Sequence, residues 1–586
     1  MEMTPLSEHI WKSKYRYTHG PTVSDKDICG TWSRVAGAVA AIENQPDIWQ
    51  PAFYEILAGY RFLPGGRILA GAGTSKRVTL FNCFVMGPIL DSMDSIFDSL
   101  KETALTMQHG GGIGCDFSTL RPAGSPAVSS GTFASGPVPF MHIWDTLCET
   151  LQATSTRRGA MMATLRCDHP DIEAFVDAKR REHALRNFNL SVLVTDRFME
   201  AVADDAEWEL KFPSAGTDPD ARAPSKSNRK LPARKLWRKI VRAAHETAEP
   251  GVLFIDSINR ENNLYYCEKI SATNPCGEIP LPPYGACDLG SINLTAFVHR
   301  PFTGDAKLDQ RSVCKTVAVA IRFLDNVIDV SRFPLDRQAE QAYGTRRIGL
   351  GITGLADMLA MLGLHYDSDA GRAAAASAMQ FIRDAAYESS ISLAKEKGAF
   401  PLLDKQKYLQ APFIRRLPDK LKSGIADIGI RNSHLLAIAP TGTISLLAGN
   451  LSSGIEPIYA LEAERDVRGS DLKPRRFVVR DHAYADWLAS GHEKNGLPEY
   501  FVTADELPPR AHLEMQSCLQ SDVDNAISKT VNLPEHATPE DVADVFSRAH
   551  ALGIKGCTVF RPGALRGQVL RAREESHCCD ADREAD

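Results

Sequence analysis

Residues 274–281 read Asn274-Pro275-Cys276-Gly277-Glu278-Ile279-Pro280-Leu281. An amide, a thiol and a carboxylate fall within five residues. Pro275 biases Asn274 toward extended backbone and Pro280 does the same for Ile279, so the stretch is a loop or a strand end. In an extended chain side chains alternate, which puts Asn274, Cys276 and Glu278 on one side. Gly277 between them lets another group approach the backbone. Alone, the octapeptide is either a reactive face or a proline-bounded surface turn with an incidental thiol.

The surrounding chain narrows that choice. Its 586 residues are 44% hydrophobic and 24% charged with a net charge of -6, the proportions of a globular protein. So small a net charge gives no ground for bulk binding to nucleic acid or an anionic membrane. Met1-Glu2-Met3-Thr4-Pro5 lacks a basic-then-apolar signal and no apolar run reaches membrane-spanning length, so a cytoplasmic location is expected. Thirteen cysteines, an odd number at irregular spacing, read as reduced thiols rather than a disulfide framework.

No linker divides the chain in the middle. One large catalytic domain is expected over residues 61–565, after a small helical region at 1–60 and before a charged, flexible tail at 566–586. In the first sixty residues Trp32, Val35, Val39 and Ile42 recur at near-helical spacing. From Phe62 onward β-like runs alternate with helical patterns: 78–84 then 95–108, 190–194 then 196–203, and 435–438 then 445–448 beyond a polar turn. That alternation argues for an α/β architecture with largely parallel strands. Residues 213–232, rich in Pro, Ser, Asp and Lys, read as a surface excursion.

Several other stretches could carry chemistry. Gly349-Leu350-Gly351-Ile352-Thr353-Gly354 matches the dinucleotide pattern, with Asp367 near the position of a ribose-binding acid. Tyr343-Gly344-Thr345-Arg346-Arg347 is a poor buried strand to precede it, so a tight turn before a helix at 355–362 is expected instead. Pro440-Thr441-Gly442-Thr443-Ile444-Ser445 follows a strand-like run and opens a helix, which suits either a phosphate or a plain Thr/Ser cap. Gly110-Gly111-Gly112-Ile113-Gly114 lets a ligand lie on the backbone or marks a tight bend. Cys83 and Cys287 are either buried structural thiols or a pair that yields two electrons. His577-Cys578-Cys579-Asp580 offers thiols on a tether, or cysteines without a role. There is no H-E-x-x-H, no paired C-x-x-C and no Walker A sequence, so no metal site is expected.

In their order along the chain, from about Leu6 to Leu570, these motifs resemble the adenosylcobalamin-dependent (class II) ribonucleotide reductases. The resemblance runs through Phe81-Asn82-Cys83-Phe84, Gly110 to Ser118, Arg157-Arg158-Gly159-Ala160-Met161-Met162, the 274–281 stretch and Pro440 to Ile444. It implies the ten-stranded α/β barrel of the ribonucleotide reductase/glycyl-radical type, with Cys276 on a central loop. It implies reduction of ribonucleoside diphosphates to 2'-deoxyribonucleoside diphosphates, with adenosylcobalamin as cofactor and a homodimer as the assembly.

The resemblance also implies residue roles. Cys276 is the thiyl site that removes the ribose 3'-hydrogen, Glu278 takes the 3'-hydroxyl proton, and Asn274 holds the substrate hydroxyls. Cys83 and Cys287 are the pair that ends as a disulfide, reset by thioredoxin or a similar dithiol through Cys578 and Cys579. Asn82, Gly111, Gly112, Pro275, Gly277, Pro440, Thr441, Gly442, Thr443 and Ile444 match substrate-binding positions. Asp91, Arg121, Arg157 and Arg158 match the site for dNTP or ATP specificity effectors, and residues 154–160 the loop that links effector to substrate. No ATP-cone sequence is evident, so no dATP switch of overall activity is expected. Val559-Phe560 stands where a class I subunit would carry adjacent tyrosines, and no R-V-x-G-Y-type glycyl-radical segment is present. The alternatives are a class I-like catalytic subunit with a separate radical-generating partner, and a non-catalytic nucleotide-binding regulator on the same barrel.

Overall fold

The computed structural model describes residues 3–19, 22–127, 131–152, 160–180, 184–212, 229–468, 474–492 and 496–564. Helix α1 (Pro5–Ile10) is followed by α2 (Ile28–Ala40), whose N-terminus is capped by the Asp27 side chain, and by α3 (Pro46–Ala58), which opens on a proline. Trp32, Val35 and Val39 of the expected apolar stripe are buried, whereas Ile42 lies past the end of α2 and is 41% exposed. Helices α4 (Met93–Gln108) and α5 (Pro137–Gln152) pack on one another; the first contains the expected 95–108 helix.

The strands are short and buried on both faces, as parallel strands covered by helices must be. They are β1 (Phe62–Pro64), β2 (Cys83–Val85), β3 (Gly112–Asp116), β4 (Met161–Arg166), β5 (Phe188–Val194) and β6 (Gly251–Phe254). Two-residue strands β7 (Ala272–Thr273) and β8 (Pro280–Leu281) form a separate hairpin, and β9 (Ala286–Asn293), β10 (Ile348–Thr353), β11 (Thr530–Asn532) and β12 (Gly556–Phe560) complete the set.

Strands β2 to β6 lie side by side in parallel. Strand β9 is parallel to β10, and β11 to β12. The two groups meet antiparallel at β2–β9 and β6–β12, while β1 joins β9 from the side. The gap between β10 and β11 is filled by residues 435–438 through parallel bridges Leu350↔Leu436 and Ile438↔Ile527. Leu350 N donates to Leu435 O (2.8 Å) and Ser528 N to Ile438 O (2.9 Å). Nine strands and this segment thus close a ten-membered ring of two five-stranded parallel halves. The outer layer includes α6 (Gln310–Val330), α7 (Leu355–Met361), α8 (Asp369–Lys397), α9 (Gly442–Leu447) and α10 (His482–Ala489).

Two local expectations change. The 349–353 glycine stretch is not a turn but strand β10 itself; only Gly354, at φ +72°, turns the chain into α7. A Cβ on Gly351 would stand 2.4 Å from Ala437 O, and one on Gly349 2.5 Å from Leu289 Cδ2, so these glycines admit neighbouring chain rather than a dinucleotide. Asp367 is engaged by Arg372 and Arg510. Of the 213–232 excursion, Arg229–Pro232 is a strand paired with Glu207–Leu210, and 213–228 lie outside the described residues.

The β7–β8 hairpin sits inside the ring. Ala272, Ile279 and Leu281 of the hairpin share one apolar cluster with Cys83, Val85, Cys287, Leu289 and Ala437 of the wall. The tightest contact is at β3, where a Cβ on Gly114 would stand 1.9 Å from Thr273 O. Backbone cannot yield as a flexible side chain can. Gly114→Ala is therefore expected to cost about 2 kcal/mol or more and lower the melting midpoint. Gly304→Ala, with nothing within 4 Å of the added carbon, should leave a denaturant melt unchanged.

Candidate active site

Residues 274–279 form the tip of the hairpin. Asn274 N donates to Ile279 O (3.3 Å) and Gly277 N to Asn274 O (3.2 Å), and Gly277 lies at φ +84°. The Asn274 Oδ1 accepts from Gly277 N (3.1 Å), Ile279 N (3.1 Å) and Thr273 Oγ1 (3.2 Å). The stretch is therefore curled, not extended, because Gly277 reverses the chain between the two prolines. Asn274 and Glu278 meet across the turn rather than by alternation along a strand. The barrel grips the tip from outside. Asn189 Nδ2 donates to Pro275 O (2.8 Å), Ala526 N to Glu278 O (2.9 Å) and Arg347 Nη1 to Pro280 O (3.3 Å).

Cys276 is half-buried at the tip, while Asn274 and Glu278 are fully buried. Burial pushes the Glu278 carboxyl up to about 7, against hydrogen bonds from Asn274 and Cys83 that favour its charged form. Asn274 Nδ2 donates to Cys83 Sγ (3.1 Å), and Cys83 Sγ lies 3.9 Å from Glu278 Oε1. Glu278 Oε2 is buried with no partner among the described residues. Cys83 and Cys287 are directly opposed in the antiparallel β2–β9 pair. Such pairs have Cα atoms about 4.5–5.5 Å apart, within the span of a disulfide. Burial, and then the Asp288 charge, push the Cys287 thiol well above its ordinary value, so it stays protonated.

Beside the thiols lies a small cleft lined by Gly65, Asn82, Ser291, Thr441, Gly442 and Ile444, among others. Both polar atoms of the Asn82 amide are buried and lack a partner among the described residues. A Cβ on Gly65 would stand 2.9 Å from Asn82 Oδ1, so glycine there leaves that amide its room. Thr441 adopts φ +56°, a conformation that a β-branched residue rarely holds. Its side chain makes no cap bond to α9; Oγ1 instead accepts from Gly454 N (2.9 Å) and lies 2.9 Å from Thr353 Oγ1. The plain-cap reading of this turn therefore fails.

Other expected positions are placed as follows. Pro440 and Thr443 are buried behind the turn. Gly112 pairs with Cys83, and its N–H donates to Asn82 O (2.8 Å). Gly111 makes room for Phe84, 2.6 Å from where its Cβ would be. Arg121 Nε donates to Asp91 Oδ2 (2.6 Å) and Arg121 N to Asp91 Oδ1 (3.1 Å), forming a partly exposed clamp just before α4. Arg157, Arg158, Cys578 and Cys579 lie outside the described residues. Asn189, Ser291 and Gly65 were missed from sequence. Only Asn189 carried a signal, a lone amide in the apolar run of β5.

The family model of the ribonucleotide reductase barrel domain matches residues 81–560. The chain belongs to the ribonucleotide reductase family. This reductase is 40% identical over 559 residues to a vitamin B12-dependent ribonucleoside-diphosphate reductase of Mycobacterium tuberculosis (strain CDC 1551 / Oshkosh), across 92% of this chain and 76% of the relative. It is 36% identical over 588 residues to a protein of the same name from Thermoplasma acidophilum, across 97% of this chain and 72% of the relative. A vitamin B12-dependent ribonucleotide reductase of Streptomyces coelicolor is 30% identical over 576 residues, 86% of this chain and 58% of the relative. Among the described residues no helix of the reductase is long and apolar enough to cross a membrane.

The opposed strands make a specific prediction. Mild oxidation of the reductase should join Cys83 to Cys287, seen as one linked peptide pair by mass spectrometry. Buried Cys115, Cys148 and Cys167, which face the packed outer core, should stay reduced.

Proposed function

We propose that the protein reduces ribonucleoside diphosphates to 2'-deoxyribonucleoside diphosphates for DNA precursor synthesis, in an adenosylcobalamin-dependent reaction. One observation carries the reading: inside a single barrel, a half-buried thiol tops a hairpin, a carboxyl of raised pKa lies beneath it, and two further thiols face each other across adjacent strands. The relatives named vitamin B12-dependent ribonucleoside-diphosphate reductases support the substrate and cofactor classes.

The hairpin tip is open beside Cys276, which supports the approach of such a cofactor. A Cβ on Gly277 would meet nothing within 4 Å, so the chain at Cys276 borders open volume, edged by Pro275, Gly277 and Asn189. When bound, adenosylcobalamin supplies the unpaired electron that a thiol needs before it can abstract hydrogen.

The remaining steps fall to this chain's residues. The Cys276 sulfur takes the 3'-hydrogen of the ribose and later returns it. Glu278 accepts the 3'-hydroxyl proton, and a carboxyl titrating at about 7 can take and give that proton near neutrality. Asn274 and the unpartnered Asn82 amide hold the ribose hydroxyls. The 2'-hydroxyl leaves as water while a hydrogen takes its place at carbon 2'. That exchange consumes the thiol hydrogens of Cys83 and Cys287 and leaves the two sulfurs joined. Thioredoxin or a similar dithiol then resets the pair through Cys578 and Cys579.

The turn from Pro440 to Ile444 takes the phosphates, with Gly111 and Gly112 supporting the same pocket. The Asp91–Arg121 clamp, with Arg157 and Arg158, takes a dNTP or ATP specificity effector. Exposed Leu90, Met93, Phe97 and Ile143, at and near α4 and α5, support a homodimer through that face. The odd number and irregular spacing of the cysteines support a cytoplasmic setting.

Purified protein incubated with CDP and a dithiol should form dCDP only when adenosylcobalamin is added; product without it overturns the cofactor assignment. Cys276→Ser should abolish turnover even with excess dithiol while its Cys83–Cys287 pair remains oxidisable. A Glu278 carboxyl that is protonated below about 7 cannot accept a proton, so kcat should fall as pH drops through that value. Glu278→Gln should lose about 10²–10⁴ of kcat and the pH dependence with it.

A further inference from the structure

Asp357, in the first turn of α7, and Asp481, immediately before α10, are both buried. Their carboxyl groups are hydrogen bonded to one another, a contact that requires one of them to hold a proton. Burial first, and the Asp357 charge second, hold Asp481 well above the carboxylate range, so the proton sits there.

Oxygens of the pair also secure backbone from two parts of the chain, Ser452 and the start of α10. Asp357 Oδ2 accepts from Ser452 N (2.7 Å) and Oδ1 from Ala483 N (3.4 Å), and Asp481 Oδ1 accepts from Tyr484 N (3.1 Å). Asp357 N also donates to Ser452 Oγ (3.3 Å). Ser452 is thus gripped on both sides, for its carbonyl accepts from Gly354 N (2.8 Å) and Thr353 Oγ1 (3.1 Å). Thr353 Oγ1 is 2.9 Å from Thr441 Oγ1. The bonds therefore run from the acid pair through Ser452 and Thr353 to Thr441, whose left-handed backbone needs outside support.

The charged groups around the pair are occupied elsewhere. His482 and Asp486 on α10 lie 3.8 Å from each other, and Arg480 pairs with Glu462 (2.5 Å). On α8, Arg372 binds Asp367 and Asp369, and Arg383 binds Asp384 and Asp522. The 294–297 turn, also packed on α7, carries no charge. Among the described residues no ion pair reaches Asp357 or Asp481.

We infer that Asp357 and Asp481 are a proton-sharing positioning pair that holds Thr441, through Ser452 and Thr353, in the shape that receives the substrate's phosphate. The inference rests on the reading of the Thr441 turn as the phosphate site. Asp357→Ala strands the Ser452 and Ala483 N–H groups, and should raise KM for CDP about tenfold while kcat at saturation stays within about threefold. Asp481→Asn keeps a neutral donor toward Asp357 and should leave KM at pH 7.5 within about twofold. At a pH high enough to remove the shared proton the wild-type KM should climb, whereas that of Asp481→Asn should stay flat.

Parallel pH curves for the two proteins would overturn the shared proton even if Asp357→Ala failed to fold. A folded Asp357→Ala with unchanged KM, or with kcat lost and KM kept, would overturn the positioning role. Thr441→Val separates this from the parent reading. If Thr441→Val raises KM and Asp357→Ala does not, only the acid pair is wrong; if Thr441→Val leaves KM unchanged, the phosphate site falls and the acid pair with it.

Discussion

The site depends on one side-chain oxygen. Asn274 Oδ1 takes hydrogen bonds from two backbone N–H groups of its own turn and from Thr273. A hairpin with two residues in each strand has almost no ladder of its own, so its buried polar groups need partners from elsewhere. Each stranded polar group would cost about 1–3 kcal/mol. The wall supplies the rest: Asn189 for Pro275 O, Ala526 for Glu278 O, Arg347 for Pro280 O and Thr164 for Ser271 O. The hairpin therefore belongs to the ring as a plug belongs to its socket.

Burial of that plug sets its chemistry. Removing water raises the cost of charge, so Glu278 shares its proton near neutrality and Cys287 keeps its hydrogen. Both effects favour hydrogen-atom and proton transfer over ionic reactions of a thiolate. Gly114 of β3 makes this burial deep, because a side chain there would push away the Thr273 backbone of the hairpin.

Much of this was legible in the chain. Asn274, Cys276 and Glu278 stood out by type and spacing, and alternating strand and helix patterns pointed to an α/β architecture with largely parallel strands, while the closed ring was implied only by the family resemblance. What was not legible depends on distant contacts. Residues 435–438 are a stave of the barrel only because β10 and the run before β11 flank them. The glycines of β10 imitate a nucleotide motif because a fingerprint cannot tell room for a ligand from room for Ala437. The period-two argument for 274–278 brought the right residues together by the wrong geometry, since a positive φ at Gly277 is invisible to alternation. Gly65 acts on partners far along the chain, so no local pattern marks it, and the lone amide of Asn189 in β5 does not by itself say what it binds.

The position of the thiol pair follows from the same topology. Two parallel halves can meet only along antiparallel seams, and one seam is β2–β9, which carries Cys83 opposite Cys287. Directly opposed antiparallel residues present their side chains on one face at close range, so joining the two sulfurs needs side-chain rotation rather than movement of either half. Asn274 binds Cys83 at this seam, and Glu278 stands 3.9 Å from the same sulfur. The hairpin thus touches the wall at the Cys83–Cys287 seam. A barrel closed by parallel pairing alone would have no antiparallel seam on which Cys83 and Cys287 could stand directly opposed.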